Sequence, residues 1–219
     1  MEILKQIKFL IEKEIKLEWR SKYAFSSLLL YLISTIFVCY LSFRQVSPIT
    51  WNVLFWIIML FVSINAVSKG FMQEGRDRQL YYYVLTSPQA IILSKIIYHT
   101  LLLLLLTAIA LLFYTLVFNN PLGDPGLYLV AALLGSISFA SVLTMISGIA
   151  AKASNGGTLM AILSFPVIIP LLMVLLKLSK NAMDGLDRSM SYNEISVLVL
   201  INTMVITASL LLFPYLWRD

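Results

Sequence analysis

Hydrophobic positions in this chain come in long unbroken runs. They show neither the alternation of a half-buried strand nor the one-sided stripe of a surface helix. Six runs approach or exceed the roughly 20 apolar residues that cross about 30 Å of hydrocarbon. They predict transmembrane helices over about 24–43, 51–68, 96–118, 127–151, 158–176 and 195–216. Continuous runs favour helices over a barrel, whose strands alternate lipid-facing and lumen-facing residues. The third run holds His99 as its only group that titrates near neutral pH. The fourth is rich in small residues: Gly135, Ser136, Ser138, Ala140, Ser141, Ser147 and Gly148. Small residues let helices approach closely where hydrophobicity no longer drives association, so this span is expected inside the bundle. The fifth carries Pro166 and Pro170, each lacking a backbone donor, so a kinked or broken helix is expected there.

Two polar segments also read as helices. Over residues 3–20, Ile3, Leu4, Ile7, Leu10, Ile11, Ile15 and Leu17 share one side of a helical wheel, opposite Lys5, Lys8, Glu12, Lys13, Lys16 and Arg20. The pattern predicts an interfacial helix within residues 1–22, its basic face towards anionic lipid. Glu14 and Glu18 intrude on its apolar side, which leaves open that the stripe faces protein instead. Residues 177–194 alternate Leu178, Met183, Leu186 and Met190 with Lys180, Asp184, Asp187 and Arg188. A short amphipathic helix at the opposite surface, or a solvated loop, accounts for them. No linker or internal repeat divides the chain, which reads as one membrane domain over 1–219.

Composition agrees with the runs. Of 219 residues 60% are hydrophobic and 12% charged, whereas soluble domains hold about 45–50% apolar and about 25% charged residues. The loops carry the orientation signal. Lys5, Lys8, Lys13, Lys16, Arg20, Lys22, Lys69, Arg76, Arg78, Lys95, Lys152 and Arg218 fall on one side. Only Arg44, Lys177, Lys180 and Arg188 fall on the other. The positive-inside rule then places both termini in the cytoplasm, which an even number of spans allows. The first run begins too late for a cleaved signal peptide and is expected to act as an uncleaved anchor.

Most chemistry is excluded by what the residues lack. There is no GxxxxGK[ST] loop to cradle ATP phosphates, no HExxH, and no His/Cys cluster with metal-ligand spacing. Cys39 is the sole cysteine, so neither a disulfide framework nor a CxxCH haem attachment exists. The six runs contain no Asp, Glu, Lys or Arg, the groups that ion-coupled carriers and intramembrane proteases place at membrane depth. His99 could ligate haem iron, but a single histidine one turn into a span is more often a structural polar residue. Asn65 and Asn202 read as interhelical hydrogen-bonding residues. Trp51, Trp56 and Trp217, near span ends, read as interfacial belt residues. The basic residues sit beside the spans, which argues against nucleic-acid binding and for membrane lipid.

One loop stands apart. Glu74, Gly75, Arg76, Asp77 and Arg78 are followed by Leu80, Tyr81, Tyr82, Tyr83, Val84 and Leu85, then Thr86-Ser87-Pro88. Charges followed by an apolar and aromatic patch suit a short helix that docks in a partner's groove, with Ser87-Pro88 ending it. An ordinary positive-inside loop explains the arginines but not the cluster of bulky residues beside them.

This loop resembles the coupling segment of type-2 ABC exporter permeases, of the form Arg/Glu-x-x-Gly-Thr-x-x-x-Leu-x-x-x-Pro after the second span. The chain has Arg76-Asp77 where that superfamily commonly has Gly-Thr. Within the superfamily the whole chain resembles the CcmB family, haem exporter permeases of cytochrome c maturation. The shared features include Glu74-Gly75-Arg76-Asp77 with Leu80, Ala151-Lys-Ala-Ser-Asn-Gly-Gly157, and Leu163-Ser-Phe-Pro-Val-Ile-Ile-Pro170.

The resemblance implies a six-span permease of a bacterial inner membrane, not itself an enzyme. It implies a separate CcmA-like ATPase docking on Glu74, Gly75, Arg76, Asp77, Arg78 and Leu80. It further implies CcmC-, CcmD- and CcmE-like haem-handling partners, allows two copies of the chain per complex, and makes haem the transported or delivered species. With one histidine and no tryptophan-rich haem motif, the sequence fits a force-transmitting subunit at least as well as a channel. A permease for a lipid, drug or polysaccharide, and a scaffold with no transport cycle, are the competing readings.

Overall fold

A computed structural model describes residues 2–21, 23–43, 46–72, 86–118, 120–153 and 156–218. Among these are seven α-helices, one short 3-10 helix and no strand. The helices are α1 (Glu2–Ser21), α2 (Tyr23–Ser42), α3 (Pro48–Met72), α4 (Pro88–Val117), α5 (Pro125–Ala150), α6 (Gly156–Met183) and α7 (Tyr192–Arg218). All but α1 are long and apolar enough to cross a membrane, so the expected all-helical six-span architecture is present.

Helix starts follow a shared local chemistry. In Ser47-Pro48, Ser87-Pro88 and Asp124-Pro125 a short polar side chain precedes a proline. Ser47 Oγ accepts from the backbone N–H of Thr50, Ser87 Oγ from Ala90, and Asp124 Oδ1 from Leu127. Proline suits the first helical position because its missing N–H has no partner there anyway. This corrects the start of the third span. Its helix begins at Pro88, eight residues before the apolar run, because capping and not hydropathy sets that end. Ser87-Pro88 therefore opens a helix.

α5 lies at the centre, in contact with α3, α4, α6 and α7. Gly135, Ser136, Ser138, Ala140, Ser141, Ser147 and Gly148 are buried as expected, and the Gly135 backbone lies directly against the Trp56 ring. α6 runs through Pro166 and Pro170 without a break. α2 and α7 flank the bundle and leave most of their surface outward.

The tryptophan expectation is corrected for two of the three. Trp51 and Trp56 are each 1% exposed and sit in an aromatic cluster with Phe55, Tyr114 and Tyr128. Trp56 Nε1 donates to Ser179 Oγ at 2.9 Å, and the Tyr114 hydroxyl donates to the Trp51 carbonyl at 3.1 Å. The Trp56 tip is thus satisfied inside the bundle, whereas Trp51 Nε1 is buried without a hydrogen-bond partner among the described residues. Asn65 is corrected too: it is exposed, and its amide donates to the Phe61 carbonyl of its own helix. Asn202 is buried, as an interhelical residue would be, but its Oδ1 has no hydrogen-bond partner among the described residues.

The end away from the termini is stitched by backbone and charge. The Gly123 N–H donates to the Met183 carbonyl at 3.2 Å and Asp124 N–H to the Ala182 carbonyl at 2.8 Å. A Cβ on Gly123 would lie 2.8 Å from the Gly185 nitrogen, so this crossing of two loops requires glycine. Residues 177–194 form no separate amphipathic helix. α6 continues to Met183, Gly185 turns at φ +64°, and a 3-10 helix over Arg188–Ser191 leads into α7. Charge pairing explains the extension: Lys177 Nζ meets Glu194 Oε1 at 2.6 Å, which lets helix run beyond the apolar sequence.

Arg188 contacts both carboxylate oxygens of Asp124, at 2.8 and 3.1 Å. The hydrogen bond from Arg188, aided by the Leu127 N–H, pulls the Asp124 carboxyl down to about 2 from its usual 3.8. A folded pKa below the unfolded one gives stability above the unfolded value that fades as pH falls through the folded one. Wild type should therefore melt above Asp124→Asn at pH 6, with the difference shrinking between about pH 4 and pH 2. Melting curves in detergent check this, and a difference independent of pH contradicts it.

Candidate functional site

α1 is the element that differs most from a simple span, and its placement defines the site. Its apolar side divides in two. Ile7 and Leu10 are buried against Ala90, Ile91, Ile92 and Ile96 of α4 and Phe213 of α7. Ile3, Leu4, Ile15 and Leu17 of the same stripe remain exposed. Part of the stripe thus faces protein, as the intruding acids allowed, and part remains available to lipid.

Polar contacts fix the register. Gln6 Oε1 accepts from both the backbone N–H and the hydroxyl of Ser87, at 3.3 and 3.1 Å. Two turns on, Glu14 Oε1 lies 3.2 Å from Lys95 Nζ and 3.1 Å from Lys13 Nζ. Lys95 is only 3% exposed at its side chain and Glu14 15%. Burial alone would push the Glu14 carboxyl up, but Lys95 and Lys13 overcome it and hold its pKa below the ordinary value. Another turn along, Tyr98 hydrogen-bonds to Glu18. The two acids at i,i+4 on α1 therefore meet a lysine and a tyrosine at i,i+3 on α4, faces that are adjacent on each helix.

The location gives the contacts their interest. Ser87 caps α4 and stands two residues after residue 85, the end of the loop stretch 73–85. Glu74, Gly75, Arg76, Asp77, Arg78 and Leu80 lie outside the described residues, so the structure places only the exit of their loop. That exit is tied to α1 and through it to α4.

His99 lies one turn below Lys95. Its ring is 1% exposed, and Nδ1 shares a 2.8 Å hydrogen bond with Thr144 Oγ1 of α5. Two turns deeper, Thr107 and Ser136 share another at 2.9 Å. These contacts form a polar seam between α4 and α5 that continues inward from the α1 junction. The imidazole faces protein on all sides. Among the described residues, no three of His, Cys, Asp and Glu gather as metal ligands would.

The sequence offered Glu14 as an anomaly and Lys95 as one of the basic residues beside the spans, but did not join them. Gln6 went unremarked. The available signal was the spacing match between Glu14 and Glu18 on one helix and Lys95 and Tyr98 on the other.

The geometry fits a transmitting joint: an amphipathic helix pinned to a loop exit and to the mouth of an interior span. Over residues 5–216, nearly the whole chain, the sequence matches the family described as CcmB protein. No curated protein matches the chain.

Proposed function

Because the chain belongs to the CcmB family, and so is an ABC-type membrane permease subunit of cytochrome c maturation, we propose that it turns nucleotide turnover in a separate CcmA-like ATPase into movement of its helix bundle. The movement serves haem delivery, either by exporting haem or by releasing a haem-loaded CcmE-like chaperone. CcmC- and CcmD-like proteins complete the assembly, two copies of this chain fit it, and the membrane is a bacterial inner membrane with both termini in the cytoplasm. ATP belongs to the partner.

The observation that carries this reading is the α1–α4 junction. Displacement of the loop between α3 and α4 would pull on Ser87, and Ser87 is held by Gln6 and opens α4. From there the Lys95, His99 and Thr107 contacts lead into α5, the most buried helix. A packed interior, with the Trp56 ring against Gly135, favours transmission of force over conduction through this chain.

In this reading Glu74, Gly75, Arg76, Asp77, Arg78 and Leu80 contact the ATPase. The Glu74→Ala/Arg76→Ala double variant is expected to insert normally and to lose about tenfold or more of the ATPase recovered in a mild-detergent pull-down. Loss of two charge-assisted contacts supports that size. Unchanged recovery would remove the coupling assignment. Loss of the gene should also abolish c-type cytochromes; their survival would favour another substrate.

A further inference from the structure

α1 does not lie flush along its length. Beyond Glu14 its C-terminal part, together with α2 and α4, borders an open groove of about 570 Å³. That falls within the roughly 300–1,000 Å³ of small-molecule sites. The walls include Glu18 and Trp19 of α1, Phe25 of α2, and Tyr98, Leu101 and Leu105 of α4. Leu101 and Leu105 are 52% and 50% exposed and line the deep part.

The groove is graded along the bilayer normal. Glu18, Trp19 and Tyr98 sit where an interfacial helix meets a span end, at headgroup level. Leu105 lies seven residues further along α4, roughly 10 Å deeper at 1.5 Å per residue. A single carboxylate beside three aromatic rings at the polar end suits an ammonium group: the carboxylate takes a charge-assisted hydrogen bond and the rings present negative faces. The Tyr98 hydrogen bond holds Glu18 at the mouth, and a carboxylate has acceptor positions for further donors. The leucine-lined depth suits a hydrocarbon chain.

We infer that this groove holds one glycerophospholipid whose headgroup ends in a primary ammonium. The ammonium donates to Glu18, and one acyl chain runs along Leu101 and Leu105. This site stands apart from the haem-delivery reading and does not depend on it. The bound lipid fills the space between α1 and the bundle and so supports the docked position of α1.

Native mass spectrometry of the intact complex tests the inference, after reconstitution with equal phosphatidylethanolamine, phosphatidylcholine and phosphatidylglycerol. Wild type should retain one phosphatidylethanolamine per chain over phosphatidylcholine by about fivefold or more, the scale of one charge-assisted hydrogen bond at a half-open site. Glu18→Gln, which keeps the shape, should bring the two lipids near parity. Leu105→Trp, which fills the depth, should lower retention of every lipid. A lipid-free wild-type chain, as a second protein segment seated in the groove would give, overturns the inference. So does equal retention of the two lipids by wild type, or a preference that survives Glu18→Gln. Leu105→Trp counts only if it accumulates; the Glu18→Gln comparison decides by itself.

Discussion

Glu14→Ala loosens α1 from the bundle at a cost of about 3 kcal/mol, the usual penalty for breaking a mostly buried ion pair from one side. The figure is this large because Lys95 is 3% exposed at its side chain, so water does not replace the Glu14 carboxylate when it is removed. An exposed pair behaves otherwise: Lys16–Glu12, at 75% and 56% exposure, is screened by water and should contribute little. Replacing both buried partners, in Glu14→Ala/Lys95→Met, should cost less than the two single changes added, since no charge is stranded. Trypsin cleavage within α1 reads the undocking directly, and detergent melting gives the cycle. Additive effects would show that the two side chains do not depend on each other. The functional expectation is a split: Glu14→Ala keeps the ATPase in the complex but weakens haem delivery, whereas the Glu74/Arg76 variant loses the ATPase.

Gly135→Ala should also destabilise the fold, although alanine is the better helix former. The helix preference favours alanine by about 1 kcal/mol. Against it, the new Cβ would lie 2.5 and 2.6 Å from two ring carbons of Trp56 and 3.3 Å from Leu175. The indole has little freedom to give way, because it is 1% exposed, bonded to Ser179 and packed on Phe55 and Phe139. Overpacking of this kind costs about 1–3 kcal/mol and sometimes more, so the clash outweighs the helix preference. Trp56→Phe removes the clashing part of the ring, and Gly135→Ala/Trp56→Phe should melt above Gly135→Ala alone. A Gly135→Ala protein as stable as wild type would contradict this close approach.

Much of the architecture was legible because hydrocarbon imposes one rule on every span. Long apolar runs and small residues on α5 announced the bundle and its central helix. Helix ends were less legible, since Pro88 and Asp124 act through capping, which hydropathy does not register. Trp51 and Trp56 were assigned to the interface from position along the run; their burial depends on partners such as Ser179, more than 120 residues away. For the site, the sequence supplied the odd residues without their pairing. Glu14 looked misplaced on an apolar stripe, and only the crossing of α1 over α4 brings Lys95 beneath it. Gln6 carries no sequence signal, since a glutamine on an amphipathic helix is ordinary until a capping serine is found opposite.

The stitched end of the bundle has a mechanical consequence. Backbone bonds at Gly123 and Asp124, with the Asp124–Arg188 pair, tie the α4–α5 hairpin to the α6–α7 hairpin at this tip. In the proposed transmission of force that tip is the fulcrum. A 26-residue helix such as α5 is roughly 39 Å long, so tilting it by about 5° about the fulcrum swings its far end by about 3 Å. In such a tilt the travel would be greatest at the level of α1 and the loop exit and would nearly vanish at the opposite surface, so the proposed movement is that of a lever whose long arm ends at the proposed ATPase side.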